Sequence, residues 1–171
     1  KKLNELRPLL KTAEPADIAS LFDMLDEEIH PVIFRILPKE LAAEVFVEMD
    51  SDTQEYLISK FTDTELKNIL DEIYIDDAVD IVEEMPANVV KRLLALSDKE
   101  TRNYINEILK YPKDSAGSIM TIEYASLHPD MTVEEAFERI RKTAIDKETI
   151  YTIYVKDRAN KLIGLVSAKD L

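Results

Sequence analysis

Fifteen Asp and Glu residues lie between Glu40 and Glu84 against two basic ones, Lys60 and Lys67, so this stretch holds a net −13, equal to the formal charge of the whole 171-residue chain. Elsewhere the chain balances, with 20 acidic and 20 basic residues. Carboxylates this dense repel one another in a folded segment unless cations or a basic partner screen them, and hard divalent cations, which prefer carboxylate oxygens, are the first chemistry they suit. Other chemistries find little material. The chain has no Cys, hence no thiolate metal site and no thiol nucleophile, a composition that fits a reducing compartment. His30 precedes Pro31 and His128 precedes Pro129, neither with a second His at zinc-helix spacing, so both are expected in turns or packing. No phosphate loop, nucleophile elbow or dinucleotide fingerprint occurs, and enzyme activity is not expected. A pI near 4.6 speaks against a nucleic-acid partner.

The elements that must position these carboxylates are helices. Both glycines, Gly117 and Gly164, fall in the last third, so residues 1–116 turn without a residue that enters positive φ cheaply. Ser51-Asp52-Thr53-Gln54, Thr62-Asp63-Thr64-Glu65 and Ser97-Asp98-Lys99-Glu100 fit the capping-box pattern, and Pro15, Pro38 and Pro86 sit where a first helical residue tolerates a missing N–H. Helix starts are predicted near residues 15, 38, 51, 62, 76, 86 and 97, too closely spaced to pack other than as antiparallel neighbours. Apolar stripes at helical spacing, such as Leu66, Ile69, Leu70 and Ile73 or Ala78, Ile81, Val82 and Met85, are assigned to the core, with Met24 and Met49 alongside. A weak self-similarity at 23 to 25 residues implies stacked helix pairs. After Tyr111-Pro112 the pattern changes: a strand at Ala125–Leu127, a fourth capping box at Thr132 opening a helix to Thr143, a strand at Ile150–Val155, a turn at Asp157–Asn160 and a strand at Leu162–Val166. A further helix is expected to begin at Ser167-Ala168-Lys169-Asp170-Leu171, where the sequence stops. The fold class is therefore mainly α, a right-handed superhelix of short armadillo-like repeats over residues 1–116 followed by a partial α+β unit over 117–171. No apolar run approaches the roughly 18 to 20 residues that span a bilayer, and Lys1-Lys2-Leu3-Asn4 does not open a signal peptide.

Three segments together carry a family resemblance. Pro38-Lys39-Glu40-Leu41-Ala42-Ala43-Glu44-Val45, then Glu65 to Ile73 running into Asp76-Asp77-Ala78-Val79-Asp80, then Tyr111-Pro112-Lys113-Asp114-Ser115-Ala116-Gly117-Ser118-Ile119-Met120-Thr121 resemble the cytosolic portion of the MgtE family of magnesium channels or transporters. Gly164 to Asp170 further resembles the end of the first motif of a tandem CBS pair. The resemblance implies a helical N domain and a first CBS motif, taken from a homodimeric parent on the cytoplasmic face of the cell membrane. The second CBS motif, the connecting helix and the membrane pore would lie outside this chain. It also implies Mg²⁺ as ligand, bound between domains to hold the closed state.

Carried over by position, the family's N-domain ligands fall on Glu44, Asp76 and Asp80. Asp76 and Asp80 are four apart and share a helix face, whereas Asp77 points about a third of a turn away. The competing structural reading makes Asp76 a helix N-cap, with Asp77 and Asp80 complementing the macrodipole. A carbonyl at Ser118 is a further possible ion ligand, although Ser replaces the second Gly common in the family and leaves its φ open. Ser167 and Asp170 match the CBS nucleotide signature, types that suit ribose hydroxyls of an adenine nucleotide, while Thr152, in Tyr151-Thr152-Ile153-Tyr154, stands where nucleotide-binding members tend to carry paired tyrosines. A lone CBS motif would leave an apolar sheet face open, with Ile153, Val155, Leu162 and Leu165 as its contributors. The alternative function is a protein-interaction scaffold, since the helical repeat also resembles modules of the flagellar motor-switch protein. Such a scaffold would continue with further helical repeats.

Overall fold

A computed structural model describes residues 7–143, 147 and 149–171; Lys1 to Asn4, on which the signal-peptide expectation fell, lie outside these. The chain divides into two compact units, one ending at Ile119 and one beginning at Met120. The first is helical: α1 (Pro15–Phe22), a 3-10 turn (Glu27–Ile29), α2 (His30–Phe34), α3 (Lys39–Val47), α4 (Ser51–Lys60), α5 (Asp63–Leu70), α6 (Ile75–Glu84), α7 (Ala87–Leu96) and α8 (Lys99–Ile108).

The starts obey a strict period. Pro15, Lys39, Asp63 and Ala87 follow at 24-residue steps, and so do Glu27, Ser51, Ile75 and Lys99, offset by 12. The weak self-similarity at 23 to 25 residues is this repeat. Its buried positions recur in step: Phe22, Phe34, Phe46 and Ile58, twelve apart, are all core residues. The first three form an edge-to-face aromatic ladder, with centroids 6.4 and 6.0 Å apart. The densest packing skips one helix, α1 on α3, α3 on α5, α5 on α7 and α6 on α8, and not between consecutive helices as expected. A two-helix repeat stacks on its own equivalent, so the partner of each helix lies one full repeat away.

The helix starts hold to within two residues, and the caps explain the shifts. Thr62 and Glu65 form the full capping box before α5. Asp50, not Ser51, caps α4 by accepting from Thr53 N, and Asp98, not Ser97, caps α8. Ser97 Oγ donates instead to the Leu93 carbonyl at 2.9 Å. An adjacent ionised carboxylate, one residue before Ser51 and one after Ser97, is the stronger acceptor for orphan N–H groups at a positive helix end. Pro15 is the first residue of α1, while Pro38 and Pro86 precede α3 and α7 as N-caps. No side-chain cap announces α2, whose N-cap Ile29 makes no such bond and whose start is marked only by Pro31. Met49 and Met85 are buried as expected; Met24 is 81% exposed and leaves the core assignment.

In the second unit, β1 (Tyr124–Leu127) leads through α9 (Val133–Thr143) to β2 (Thr149–Lys156) and β3 (Leu162–Ser167). The sheet order is β1-β2-β3, parallel between β1 and β2 and antiparallel between β2 and β3. The fourth capping box is present, Thr132 N donating to Glu135 Oε2 at 2.8 Å and Glu135 N to Thr132 Oγ1 at 3.3 Å. The β2–β3 turn is tied by Asp157, whose Oδ1 accepts from Ala159 N and Lys161 N, with Asn160 at φ 61°. One sheet face is sealed by α9, where Ala136 and Ile140 meet Ala125, Leu127 and Ile153. Ile153 is fully buried there, and Val155 shares its side of the strand by alternation, so neither belongs to the open face, which instead carries Leu165, Tyr154 and Thr152. No described helix is long and apolar enough to cross a membrane.

Candidate metal-binding face

The acidic stretch folds into α3 to α6, whose inward stripes bury Val45, Phe46, Leu57, Leu66 and Ile81 and leave the carboxylates outside. Two hollows open among them. The larger, about 440 Å³, has Glu40, Glu44 and Glu48 of α3 on one wall and Glu72, Tyr74 and Asp77 around the α5–α6 turn on the other. The smaller, about 240 Å³, is lined by Met49, Gln54, Asp77, Asp80 and Glu84 among others.

Asp77 lines both. Helical spacing turned it away from the Asp76–Asp80 pair, and the signal that places it comes from the neighbours of α6, not from α6 itself. Glu44 and Asp80 are thus linked through Asp77, while Asp76 lines neither of these two hollows. Asp76 is not the N-cap either: Tyr74 occupies that position, and Asp76 and Asp77 both lie in the first turn, where acidic groups complement the helix dipole. Among the described residues, no three His, Cys, Asp or Glu side chains come close enough to enclose a metal ion. The donor set is nevertheless all oxygen, the chemistry that suits a hard divalent cation.

Electrostatics distinguishes the carboxylates. Asp80 is an exposed residue, yet partial burial of its carboxyl is the largest influence pushing its pKa up, followed by repulsion from Glu83 and Glu84, with Lys113 opposing. Lys39 reaches from the start of α3 to Glu72, Nζ to Oε1 at 2.5 Å, and so joins the two walls of the larger hollow. Its pKa is raised mainly by that hydrogen bond, with Glu72, Asp71 and Glu40 adding their charge. Glu65 behaves oppositely to Asp80: the Arg35 guanidinium, 2.7 Å away, and the Thr62 backbone N–H hold its pKa down to about 2.

The junction Tyr111–Ser118 closes on itself. Ser115 N donates to Ser118 Oγ at 3.2 Å, Ser118 N to Ser115 Oγ at 3.3 Å, and Ser118 Oγ to the Ser115 carbonyl at 2.9 Å. The positive φ in this segment belongs to Asp114, at 61°, and neither Gly117 nor Ser118 requires one. Gly117 is demanded by space, because a Cβ there would stand 2.4 Å from the Tyr111 ring.

In the second unit, Ser167 Oγ donates to Asp170 Oδ2 at 2.6 Å. Thr152 is the cross-strand partner of Ser167, so both positions weighed for a nucleotide stand side by side. The histidines serve packing: His30 is buried against the Phe22 and Tyr56 rings, and His128 Nδ1 lies 3.0 Å from the Lys156 carbonyl.

The family model of the MgtE intracellular N domain matches residues 13–114, and that of the CBS domain residues 116–171. Over 170 residues the chain is 37% identical to the magnesium transporter MgtE of Thermus thermophilus, covering 97% of this chain and 38% of that protein. MgtE of Enterococcus faecalis is 31% identical over 173 residues, again with 38% of its length covered. The chain therefore spans well under half the length of these relatives. Among solved structures, the cytosolic domain of the Mg²⁺ channel MgtE in complex with ATP superposes with a TM-score of 0.87 at 36% identity, covering 96% of this chain and 67% of that one. The soluble part of a magnesium transporter gives 0.86 at 28% identity, covering 99% and 67%.

Proposed function

The chain belongs to the MgtE family of magnesium transporters, and from that premise we propose that it is the Mg²⁺-sensing regulatory region on the cytoplasmic side of such a transporter. In this reading Glu44, Asp76 and Asp80, with Asp77 between the hollows, supply carboxylate oxygens to hydrated Mg²⁺. The remaining oxygens come from water or from parts of a longer, homodimeric parent, and occupancy favours the closed pore. The observation that carries the proposal is the localisation of the whole net charge of −13 between Glu40 and Glu84, on a unit that matches the N domain of a magnesium transporter family. Asp80, with its raised pKa, is a carboxylate short of positive charge, and a divalent cation would relieve it. The scaffold alternative calls for further helical repeats, whereas the unit from Met120 onward is a sheet with one covering helix and matches a CBS domain.

The test is thermal unfolding in MgCl₂ against NaCl of equal ionic strength. Binding at millimolar affinity adds on the order of 1 to 2 kcal/mol at tens of millimolar ion by mass action. Equal shifts in the two salts would mean screening alone and remove the specific site.

A second reading concerns the other unit, where an adenine nucleotide would be held by Ser167 and Asp170. It is favoured by the Ser167–Asp170 bond and by the ATP complex of the similar cytosolic domain. Thr152 cannot stack on adenine, and the aromatic groups near it are Tyr154, two residues along the same face, and Tyr124, whose ring meets that of Tyr154 at 5.2 Å. Titration with ATP tests this: Asp170→Asn should weaken binding roughly tenfold or more, the weight of a hydrogen bond to a charged group. Unchanged affinity would exclude Asp170.

A further inference from the structure

We propose that Lys39 is a tethered competitor for the divalent cation, an ammonium that joins the two walls of the larger acidic hollow until Mg²⁺ displaces it. The inference rests on the Mg²⁺-sensing reading above and assigns what sets the threshold of that site.

The geometry is specific to this lysine. Lys39 is the first residue of α3, one position before Glu40 and five before Glu44, which line one wall. Its Nζ bonds Glu72, which lines the other wall. Glu40 and Asp71 add their charge to that of Glu72 around the same ammonium. The two lysines inside the acidic stretch are engaged elsewhere, Lys60 over the Tyr56 ring at 5.1 Å and Lys67 with Asp71 along its own helix at 2.7 Å. Lys39 is thus the cation that a divalent ion entering beside Glu72 must meet.

Strength decides whether this acts as a tuner or a block. The two side chains are 45% and 30% exposed, so water and salt screen the pair and it is weak. A weak pair yields to a divalent ion while still opposing it, which moves a binding midpoint without abolishing binding. Removing the ammonium should therefore tighten the apparent Mg²⁺ affinity by roughly two- to fivefold, the span typical of an exposed ion pair. Lys60→Met removes the same unit of charge from the stretch without touching the hollow and provides the comparison.

The experiment is a MgCl₂ titration of the 171-residue chain at constant ionic strength, followed by calorimetry and by the unfolding midpoint, for wild type, Lys39→Met, Lys39→Arg and Lys60→Met. A two- to fivefold lower half-saturating concentration in Lys39→Met, with Lys39→Arg and Lys60→Met close to wild type, supports the proposal. Equal shifts in Lys39→Met and Lys60→Met, or no shift in a chain that does bind Mg²⁺, overturn it and leave the sensing reading standing. A wild-type chain that ignores Mg²⁺ removes the sensing reading, and the role of Lys39 falls with it.

Discussion

His30 and Gln54, 24 residues apart, make the same bond: each side chain lies on the main-chain carbonyl eight residues before it, His30 Nε2 on Phe22 at 2.9 Å and Gln54 Nε2 on Phe46 at 2.8 Å. His30 Nε2 also lies 3.1 Å from the Leu25 carbonyl. Both neighbours of that nitrogen are acceptors, so it carries the proton and donates. Carbonyls in the last turn of a helix lack the regular N–H four residues on, and those of Phe22 and Phe46 take a main-chain N–H three residues on instead, from Leu25 at 3.1 Å and Met49 at 3.3 Å, with room for a second donor. Phe22 ends α1 and Phe46 is the next-to-last residue of α3, and in both repeats the following helix sends a buried polar side chain back to meet them.

Gln54→Ala should therefore cost about 1 to 3 kcal/mol, because it empties buried space and removes the shorter of the bonds to the Phe46 carbonyl, which keeps the Met49 N–H at 3.3 Å. His30→Gln, borrowing the residue the next repeat uses, should retain most of the stability that His30→Ala loses. Denaturant unfolding of the three variants measures this. Equal losses in His30→Gln and His30→Ala would refute the shared role.

Much of this architecture is visible in the sequence because capping residues mark helix starts locally. Asp50, Thr62 and Asp98 satisfy N–H groups within three residues, so pattern alone finds them to within a step or two. The skip-one packing is not visible, because contacts between α3 and α5 depend on the superhelical path and not on either helix. The same limit hid Asp77. Helical periodicity states the direction of a side chain relative to its own axis, whereas the larger hollow that Asp77 lines is built from α3 and the α5–α6 turn, and the smaller takes in Met49 and Gln54. Met24 failed for a related reason: its apolar type fits a stripe, but in the first repeat it is exposed.

Acid should weaken the helical unit through Glu65. Its folded-state pKa of about 2 lies below its ordinary value of 4.5, so the stabilisation is present above pH 4.5 and lost as pH falls through about 2. The cause is chiefly Arg35, then the Thr62 backbone N–H. Glu65→Gln should flatten the stability profile between pH 4.5 and 2 and leave its shape above pH 6 unaltered. An identical acid limb in wild type and Glu65→Gln, followed by circular dichroism, would count against the assignment.

Gly117 and Tyr111 should be coupled. A Cβ at Gly117 meets Tyr111 ring atoms at 2.4 and 2.5 Å, well inside contact, so Gly117→Ala must move the ring or the turn and should cost about 1 to 3 kcal/mol. With Tyr111→Ala already in place, the same substitution should cost little. The double-mutant cycle reads the difference directly, and additive losses would mean that the glycine is needed for another reason.

The last prediction separates repulsion from coordination. Asp80 has a raised pKa from burial and from Glu83 and Glu84, so without divalent ion its negative charge opposes folding at neutral pH. This opposition is absent at pH values below the ordinary carboxylate range and sets in as pH rises through the raised folded value. Asp80→Asn should accordingly raise the unfolding temperature in EDTA and reduce the gain that MgCl₂ brings. In a full-length transporter of this family, Asp76→Ala with Asp80→Ala removes two coordinating groups and part of the repulsion at once, and these act in opposite directions on closure. Coordination should prevail, because a divalent ion supplies directed oxygen bonds, whereas repulsion between solvated carboxylates fades over a Debye length of about 8 Å at physiological salt. The double variant should then need more Mg²⁺ to close and stay open at concentrations that shut the wild type. Patch-clamp recording across a magnesium series measures that midpoint, and an unmoved midpoint would take both residues out of gating while leaving the EDTA result as a pure effect of repulsion.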